Sequence, residues 1–389
     1  MESGDGWLAR IKPPKSALTA PAARALAAAA AEFGNGRIEL TSRANLQVRG
    51  LAPNGFAAFA AAIVASELAD PDPETERRRA VIHPPLLTAS SQIASQIECI
   101  LAHDPALARL PAKFAVAVDS GGPLPLGQTA ADLTVTCTET GVVIVPAGSH
   151  FGAGVPATTA ADAVRRLALC FLALADVCTP PPRRMHALMR VISAATLFAE
   201  AGLATCEAVM PRPSPRAQGW IPFGDSGKGA VGLGVPFGAM TAGMVASVAD
   251  LAQHYGDGEI RLTPWRTLLL PNISVGDADA VLTAALRLDL IVDPADRRLT
   301  IVACTGQPGC AAASVDVRTD AALLLGLSLP TPIHLSGCAR GCAHQRTAPI
   351  TLVGEDGRYS VIYAGDARGI PAFCGLTMPQ VVDALRAQV

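Results

Sequence analysis

The sequence predicts an α+β fold built from a duplicated unit, because one strand-helix-turn-strand pattern occurs twice along its 389 residues. The first copy spans residues 6–51 and the second spans residues 229–273. In each copy a helix leads into a glycine turn, FGNG or YGDG, which is followed at once by the pattern I-x-L-T. Chance does not readily place the same turn at the same distance from a helix, so we expect two related half-units.

Two half-units of this kind, each burying one face of a sheet, can pair into a single ferredoxin-like layer. A second, weaker duplication relates residues 131–148 to residues 348–365, since both read as an alternating strand, an acidic-glycine turn and another alternating strand. Proline-bearing linkers fall at 70–79 and 210–219. The expected organisation is a first half-unit at 1–70, an α/β domain at 71–210, a second half-unit at 211–290 and a second α/β domain at 291–389.

Composition narrows the class of protein. A chain of this length is longer than a single hydrophobic core usually accommodates, so we expect two or more domains. Half of its residues (50%) are hydrophobic and can fill their cores. The net charge of -2 does not indicate a nucleic-acid surface or an anionic membrane partner. The start of the chain does not resemble a secretory signal and no apolar run is long enough to span a bilayer, so we expect a cytoplasmic protein.

Nucleotide-binding motifs are weak in this sequence. Residues 152–157, GAGVPA, match a dinucleotide-binding pattern in part, but Pro156 spoils the required geometry. A helix start capped by Thr159 and Asp162 is the preferred interpretation. We therefore expect electrons to reach the protein through an external donor protein or reductase.

Four cysteines near the end of the chain form two close pairs and are the strongest chemical signal. Cys304 and Cys310 have five residues between them, and Cys338 and Cys342 have three. Four thiolates from two loops can hold an iron-sulfur cluster or a zinc ion, and a five-residue gap fits a zinc ribbon poorly. The alternative is that these are separate buried thiols, but the neighbouring glycines favour loops shaped to aim sulfurs at one site.

The other six cysteines are predicted to fill the core, since each stands alone in an apolar or small-residue stretch. They are Cys99, Cys137, Cys170, Cys178, Cys206 and Cys374. The even total of ten cysteines therefore does not indicate a disulfide scaffold in a long chain without an export signal.

One strand carries a candidate anion-binding surface. The segment ELTSRANLQVRGL is predicted to place five polar side chains on one face, although the alternation is imperfect: Thr41, Arg43, Asn45, Gln47 and Arg49. Guanidinium groups pair well with carboxylates, so this face is a candidate site for anions. The alternative interpretation is that these residues form an ordinary solvated outer face of the sheet. The matching strand of the second half-unit has leucines at 268–270 and is predicted to be structural only.

Two further cations are candidates for the same surface. Lys113 enters a buried-looking strand in LPAKFAVAVDSGG, residues 110–122, and Arg79 ends a run of three arginines. Each has an ordinary alternative, because edge lysines often extend along apolar surface and charge runs are often solvated linkers.

Together, TSRANLQ, LPAKFAVAVDSG, C-x5-C, C-x3-C and the duplicated half-units resemble the sulfite and nitrite reductase family. The resemblance covers nearly the whole chain and implies two ferredoxin-like half-units in one domain with two α/β domains. It implies that the four paired cysteines bind a 4Fe-4S cluster, with Cys342 at the position that bridges to siroheme iron. It also implies that Arg43, Gln47 and Lys113 contact a tetrapyrrole, with Arg79 aligned more loosely and Arg49 on the same strand.

The sequence also departs from the reductases of this family. Ala112 and Ala115 stand where the resemblance implies an arginine and a second lysine, so a pocket for an oxyanion would contain two fewer cations here. One branch of the family accommodates such losses, a monooxygenase of aerobic cobalamin biosynthesis. This chain resembles that branch at Trp7, at residues 263–266 (TPWR) and at residues 336–344 (SGCARGCAH).

That branch implies a tetrapyrrole substrate, precorrin-3A, which O2 hydroxylates at C20 with closure of a γ-lactone. It further implies a mononuclear non-haem iron, for which the candidate ligands are His344, His334 and His83. Two alternatives stay open at this point. The chain can be a siroheme-dependent sulfite or nitrite reductase, or a non-catalytic iron-sulfur or tetrapyrrole carrier.

Overall fold

The chain is described here by a computed structural model that covers residues 2–3, 5–86, 90–119, 122–127, 129–213 and 215–388. Its first section contains β1 (Glu2–Ser3), β2 (Gly6–Ile11), β3 (Ala17–Thr19), α1 (Ala20–Phe33), β4 (Arg37–Leu40), β5 (Leu46–Leu51) and α2 (Phe56–Ala65). The next section contains α3 (Pro73–Arg78), β6 (Val81–Ile82), α4 (Ser90–His103), β7 (Val116–Asp119), β8 (Leu133–Thr138), β9 (Gly141–Pro146), β10 (Phe151–Val155), α5 (Ala160–Asp176), α6 (Met185–Leu188), α7 (Ala194–Glu200) and β11 (Thr205–Glu207).

The third section repeats the first, with β12 (Gly219–Pro222), β13 (Lys228–Gly234), β14 (Ala239–Thr241), α8 (Ala242–Tyr255), β15 (Glu259–Leu262), β16 (Thr267–Ser274) and α9 (Ala278–Arg287). The last section contains β17 (Ile301–Ala303), α10 (Val317–Ala321), β18 (Ile333–Ser336), β19 (Ala348–Glu355), β20 (Arg358–Gly365), β21 (Phe373–Leu376) and α11 (Met378–Arg386). No helix in these ranges is long and apolar enough to cross a membrane.

The two half-units begin their main helices in the same way. The hydroxyl of Thr19 accepts a hydrogen bond from the Ala22 N–H at the start of α1, and Thr241 accepts one from Met244 at the start of α8. Such N-caps satisfy amide groups that have no partner within a helix. The buried alanine-rich faces of α1 and α8 belong to one hydrophobic core shared by both half-units.

The half-units also exchange strands, which the sequence analysis did not anticipate. The first sheet has the order β1-β2-β5-β4-β14 and the second has the order β12-β13-β16-β15-β3. Each five-stranded sheet is thus completed by an edge strand from the other half-unit. The expected single layer is therefore two sheets around one core, and neither half-unit has its full sheet without the other.

The segment predicted as one polar strand is a hairpin. β4 and β5 are antiparallel, and residues 41–45 form the turn between them. The Thr41 N–H donates to the Asn45 carbonyl at 2.8 Å, and Ala44 has a positive φ of 53°. Thr41, Arg43 and Asn45 therefore lie in a turn, and only Gln47 and Arg49 of the five polar residues lie in a strand.

The two α/β sections have similar sheets. The first sheet has the order β11-β10-β9-β8-β7-β6, and the second has the order β17-β18-β19-β20-β21. In both, three parallel strands, β6-β7-β8 or β17-β18-β19, continue into an antiparallel hairpin, β8-β9 or β19-β20. These hairpins are the duplicated segments found in the sequence, and each sheet packs on its own hydrophobic core.

Three local expectations change. Thr159 makes no capping hydrogen bond, since its hydroxyl donates to the Pro156 carbonyl at 3.1 Å, and the Asp162 carboxylate pairs with Arg166. Cys99 and Cys374 are exposed, so they do not fill the core, while Cys137, Cys170, Cys178 and Cys206 are half-buried. Lys113 precedes β7 and is exposed. The glycine turn expected after that strand includes residues 120–121, which lie outside the described residues.

Candidate metal centre and anion-binding face

The paired cysteines lie at one edge of the second α/β sheet. Cys304 directly follows β17, and Cys338 comes two residues after the end of β18. These two strands are parallel neighbours, with Ala303 opposite Leu335. The carboxyl ends of parallel strands meet at the same edge of a sheet, which is where open α/β sheets bind their ligands. The fold therefore brings together two loops that are separated in sequence.

Close backbone packing holds the two loops against each other. A Cβ atom on Gly337 would lie 2.5 Å from the Cβ of Ala313, so no larger residue fits there without displacement. The Gly337 N–H donates to the Cys304 sulfur at 3.1 Å. Gly306 adopts a φ of +64° and also directs its N–H to this sulfur. These amide contacts are typical of the surroundings of a metal-bound thiolate.

The four thiols interact electrostatically across the loops. Burial raises the pKa of Cys304, and Cys310 and Cys338 raise it further, while the N–H groups of Gly337 and Gly306 oppose the shift. Burial also raises the pKa of Cys342, with Cys338 and Cys310 adding to it. Cys310 and Cys338 thus lie close enough to influence both Cys304 and Cys342, and four cysteines from two loops are the usual ligands of a 4Fe-4S cluster. The donor set therefore fits an iron-sulfur cluster.

No group of three or more His, Cys, Asp or Glu side chains in the described ranges is arranged to hold a single metal ion. A 4Fe-4S cluster would take one thiolate at each of its four iron atoms, so Cys304, Cys310, Cys338 and Cys342 would not need to converge on a single point.

The first half-unit fixes the loop that carries Cys310. Arg49 donates through Nη2 to the Gly309 carbonyl at 2.6 Å, and it pairs with Asp5 through Nη2 and Nε at 3.0 and 3.1 Å. Arg49 is only 5% exposed. The buried guanidinium of Arg49 thus holds the cysteine loop, and its expected role in binding substrate stays a prediction.

A second link joins Glu39 to the same loop. The Glu39 carboxylate accepts hydrogen bonds from the Thr305 hydroxyl at 2.9 Å and from Arg318. Thr305 is the residue next to Cys304. The cysteine loop therefore rests on the end of β4.

Gln47 lies on the polar face of the first sheet. It is opposite Arg10 of β2 on one side and opposite Glu39 of β4 on the other. Paired residues of antiparallel strands point to the same face, so these three side chains form a row. The neighbouring row, Ile11, Leu46 and Leu40, faces the core. The row thus extends from the cysteine loop at Glu39 to an exposed arginine at Arg10.

A group of cations begins at the Arg10 end of this row, where the first half-unit meets the first α/β domain. We call it the basic cluster, and it consists of Arg10, Lys12, Arg43 and Arg184. Arg43 donates to the Lys113 carbonyl at 3.2 Å. Burial lowers the pKa of Arg43, as do Arg184 and Arg10, while Asp132 opposes them.

Lys12 shows the same effect more strongly. Burial lowers its pKa to about 8, and Arg10, Arg79 and Arg43 contribute to the lowering while Glu76 opposes it. Cations that depress one another's pKa values form a site for anions, because a bound carboxylate relieves the repulsion.

The sequence pointed to Arg43, Gln47 and Lys113, whose role in binding a tetrapyrrole stays a prediction, and Arg10, Lys12 and Arg184 were not predicted from it. Arg10 and Lys12 are two positions apart in GWLARIK, a spacing that places strand residues on one face. No local pattern in the sequence singles out Arg184. Its Nε pairs with the fully buried Asp132 at 3.0 Å, a contact made over 52 positions.

Arg79 also has internal partners. It donates to Glu76 at 2.8 Å and to the Lys12 carbonyl at 2.8 Å, and its Nε is 3.6 Å from Glu98. Its side chain is 8% exposed. Arg79 therefore has a structural role, since its guanidinium joins α3 to the end of β2, and its expected role in binding substrate stays a prediction.

Comparison with known proteins agrees with this architecture. Residues 1–66 and 223–288, the two half-units, match the family described as "Nitrite/Sulfite reductase ferredoxin-like half domain". A precorrin-3B synthase from a Sinorhizobium species is 31% identical over 399 aligned positions, covering 96% of this chain and 82% of the relative. The chain belongs to the precorrin-3B synthase family.

The sequence similarity to the reductases covers a smaller part of this chain than the structural similarity does. The chloroplastic ferredoxin-nitrite reductase of Zea mays is 31% identical over 157 residues, which cover 37% of this chain and 28% of that enzyme. The Mycobacterium tuberculosis NirA protein superposes with a TM-score of 0.74 at 19% identity, over 97% of this chain and 79% of that chain. The expected α+β fold of the sulfite and nitrite reductases is confirmed, and precorrin-3B synthases share it.

The three histidines proposed as ligands of a second iron do not come together. His83 pairs with Glu98 at 3.1 Å. His334 and His344 do face each other, with ring centroids 5.6 Å apart. His334 is fully buried, and burial together with His344 and Arg266 lowers its pKa to about 4. No third His, Cys, Asp or Glu in the described ranges completes a site around this pair. His83, His334 and His344 therefore do not by themselves form a three-ligand site, and the second iron stays a prediction.

Proposed function

We propose that this protein is a precorrin-3B synthase, which uses O2 to hydroxylate precorrin-3A at C20 with formation of a γ-lactone. The observation that carries the proposal is the match to a precorrin-3B synthase over 96% of this chain and 82% of the relative. The match to the maize nitrite reductase covers only 28% of that enzyme. The reaction inserts one oxygen atom into the pigment, and two electrons and two protons convert the other oxygen atom into water.

Cys304, Cys310, Cys338 and Cys342 are proposed to hold a 4Fe-4S cluster. When bound, such a cluster supplies electrons one at a time from an external donor protein or reductase. The chain contributes the loop geometry: Gly337 and Gly306 direct N–H groups at the Cys304 sulfur, and Arg49 holds the Gly309 carbonyl. Cys342 is exposed, which places one ligand at the open side of the centre.

The tetrapyrrole is proposed to lie along the polar face of the first sheet. This face leads from the cysteine loop, through Gln47, to the basic cluster. Arg43 and Lys113 are proposed to take carboxylates of the acetate and propionate side chains, and Gln47 to contact the macrocycle edge. Guanidinium and ammonium groups bind carboxylates through charge-assisted hydrogen bonds, which fix orientation as well as adding affinity.

The alanines of the LPAKFA segment favour the oxygenase over the reductase. The family resemblance implies a second lysine at position 115, whereas Ala115 is 2% exposed and donates its N–H to Asp132 at 2.9 Å. Position 112 is exposed and carries no charge. A reductase that delivers several protons to an oxyanion benefits from a dense group of cations, and two of them are missing here. A siroheme cofactor belongs only to that alternative.

The decisive experiment begins with anaerobic purification, followed by assay of iron and acid-labile sulfide and an absorption spectrum. The proposal expects a cluster spectrum without the intense red bands of siroheme. The protein is then incubated with precorrin-3A, O2 and a reductant, and the pigment is analysed by mass spectrometry. A gain of one oxygen atom, lost in Cys304→Ser, supports the proposal. Bound siroheme would indicate a reductase, and pigment that binds without changing mass would indicate a carrier.

A further inference from the structure

Arg266 adopts an unusual backbone conformation for a long side chain. It lies in the turn between β15 and β16 with a φ of 59°, and the matching turn of the first half-unit has Ala44 at a φ of 53°. The turns correspond closely, since Thr263 donates to the Thr267 carbonyl as Thr41 does to that of Asn45. Non-glycine residues rarely occupy this region, and a small residue is sufficient for the turn itself. The geometry of the turn therefore does not explain why an arginine occupies this position.

The side chain of Arg266 extends across Gly238 toward the cysteine loop. A Cβ on Gly238 would lie 2.9 Å from the Arg266 Cδ and 3.2 Å from its Nε, so the absence of a side chain at 238 leaves room for the guanidinium. The next residue, Ala239, is the strand partner of Glu39. Glu39 in turn bonds Thr305, beside Cys304. These contacts direct Arg266 to the space between the second half-unit and the metal centre.

The guanidinium in this space is short of negative charge. Burial lowers the pKa of Arg266, whereas Glu39 and Cys304 raise it. Arg266 makes no ion pair within 4.0 Å among the described residues, and the nearby Glu39 carboxylate is already bonded by Arg318 and Thr305. A half-buried cation without an ion-pair partner is stabilised by a nearby anion. Four thiolates around a cubane cluster carry net negative charge and would supply one.

We propose that Arg266 raises the reduction potential of the cluster, because a positive charge on the Glu39 side of the cysteine loop stabilises the reduced, more negative form. This inference rests on the proposed cluster. The direction follows from the dependence of cluster potentials on local charge and burial. The role belongs to the second half-unit, whose strand was expected to be structural only.

The test is a potentiometric titration of the anaerobically purified holoenzyme, with the cluster followed by visible absorbance and by electron paramagnetic resonance. Arg266→Gln is compared with Arg266→Lys, which keeps the charge, and with Arg24→Gln, which removes an exposed arginine paired with Asp250. Glu39→Gln provides a change of the opposite sign, because it removes a negative charge from the same space while keeping an acceptor for Thr305.

We expect Arg266→Gln to be at least tenfold less reduced at the wild-type midpoint, a shift of ~59 mV or more to lower potential for one electron. Arg266→Lys should stay near the wild type, Glu39→Gln should shift upward, and Arg24→Gln should not shift. An unchanged midpoint in Arg266→Gln would overturn the inference while leaving the cluster in place. If Arg266→Gln does not retain its cluster, Glu39→Gln decides, and the absence of an upward shift rejects the inference. A wild-type protein without iron and sulfide would instead reject the proposed function.

Discussion

One substitution at Arg49 can distinguish its expected role, which is binding the tetrapyrrole, from the role its contacts indicate, which is holding the loop that carries Cys310. Its guanidinium is 5% exposed, pairs with Asp5 at 3.0 Å and donates to the Gly309 carbonyl at 2.6 Å. Arg49→Met keeps most of the apolar stem and removes the charge, leaving the Asp5 carboxylate without its cationic partner and with the Asn35 amide as its remaining donor among the described contacts. Removing one member of a buried ion pair destabilises a protein by about 3–5 kcal/mol. Because the same group holds the residue before Cys310, the cluster should also become labile.

Two measurements test this prediction. Urea unfolding should show the first transition of Arg49→Met at a lower denaturant concentration, and a chelator should remove iron from the variant faster than from the wild type. The control is Arg24→Met, which breaks the Arg24–Asp250 pair, whose side chains are 40% and 71% exposed. Exposed pairs contribute about 0–1 kcal/mol, so the control should behave like the wild type.

The alternative predicts the opposite pattern for Arg49→Met. If Arg49 binds the tetrapyrrole, as its place in the sequence first indicated, the variant should bind pigment more weakly while retaining iron at the wild-type rate. That result would refute the loop-holding role derived from the Asp5 and Gly309 contacts.

Three further outcomes are expected. Cys338→Ser should contain little iron or acid-labile sulfide and should unfold more readily, since metal binding is coupled to folding; full iron content would contradict the ligand assignment. Arg43→Ala should weaken pigment binding about tenfold or more, because a charge-assisted hydrogen bond contributes about 1.5–3 kcal/mol, while Arg43→Lys should recover part of the loss and both should keep the cluster. Pigment titrations should also show affinity falling from pH 7 to pH 9, because Lys12, with a pKa lowered to about 8, loses its charge over that range. In Lys12→Met this part of the pH dependence should be absent, and an unchanged profile would remove Lys12 from the site.

The sequence determined the features that depend on local spacing and repetition. The repeated glycine turns and the I-x-L-T pattern revealed the two half-units, since a turn at a constant distance from a helix survives as a visible pattern. The spacings of Cys304 with Cys310 and of Cys338 with Cys342 indicated the metal centre for the same reason. Arg43 was predicted to bind carboxylates because it lies in a segment with other polar and cationic side chains.

The tertiary structure decided the features that depend on long-range contacts. The exchange of β3 and β14 between half-units leaves no mark in either segment, because backbone hydrogen bonds do not depend on residue type. Arg49 looked like a ligand-binding residue until the fold placed Asp5 and Gly309 around it. Arg266 looked structural until Gly238 opened a path for its side chain toward Cys304. A charged side chain has the same intrinsic chemistry at every position, and burial and the opposing charges decide what it does.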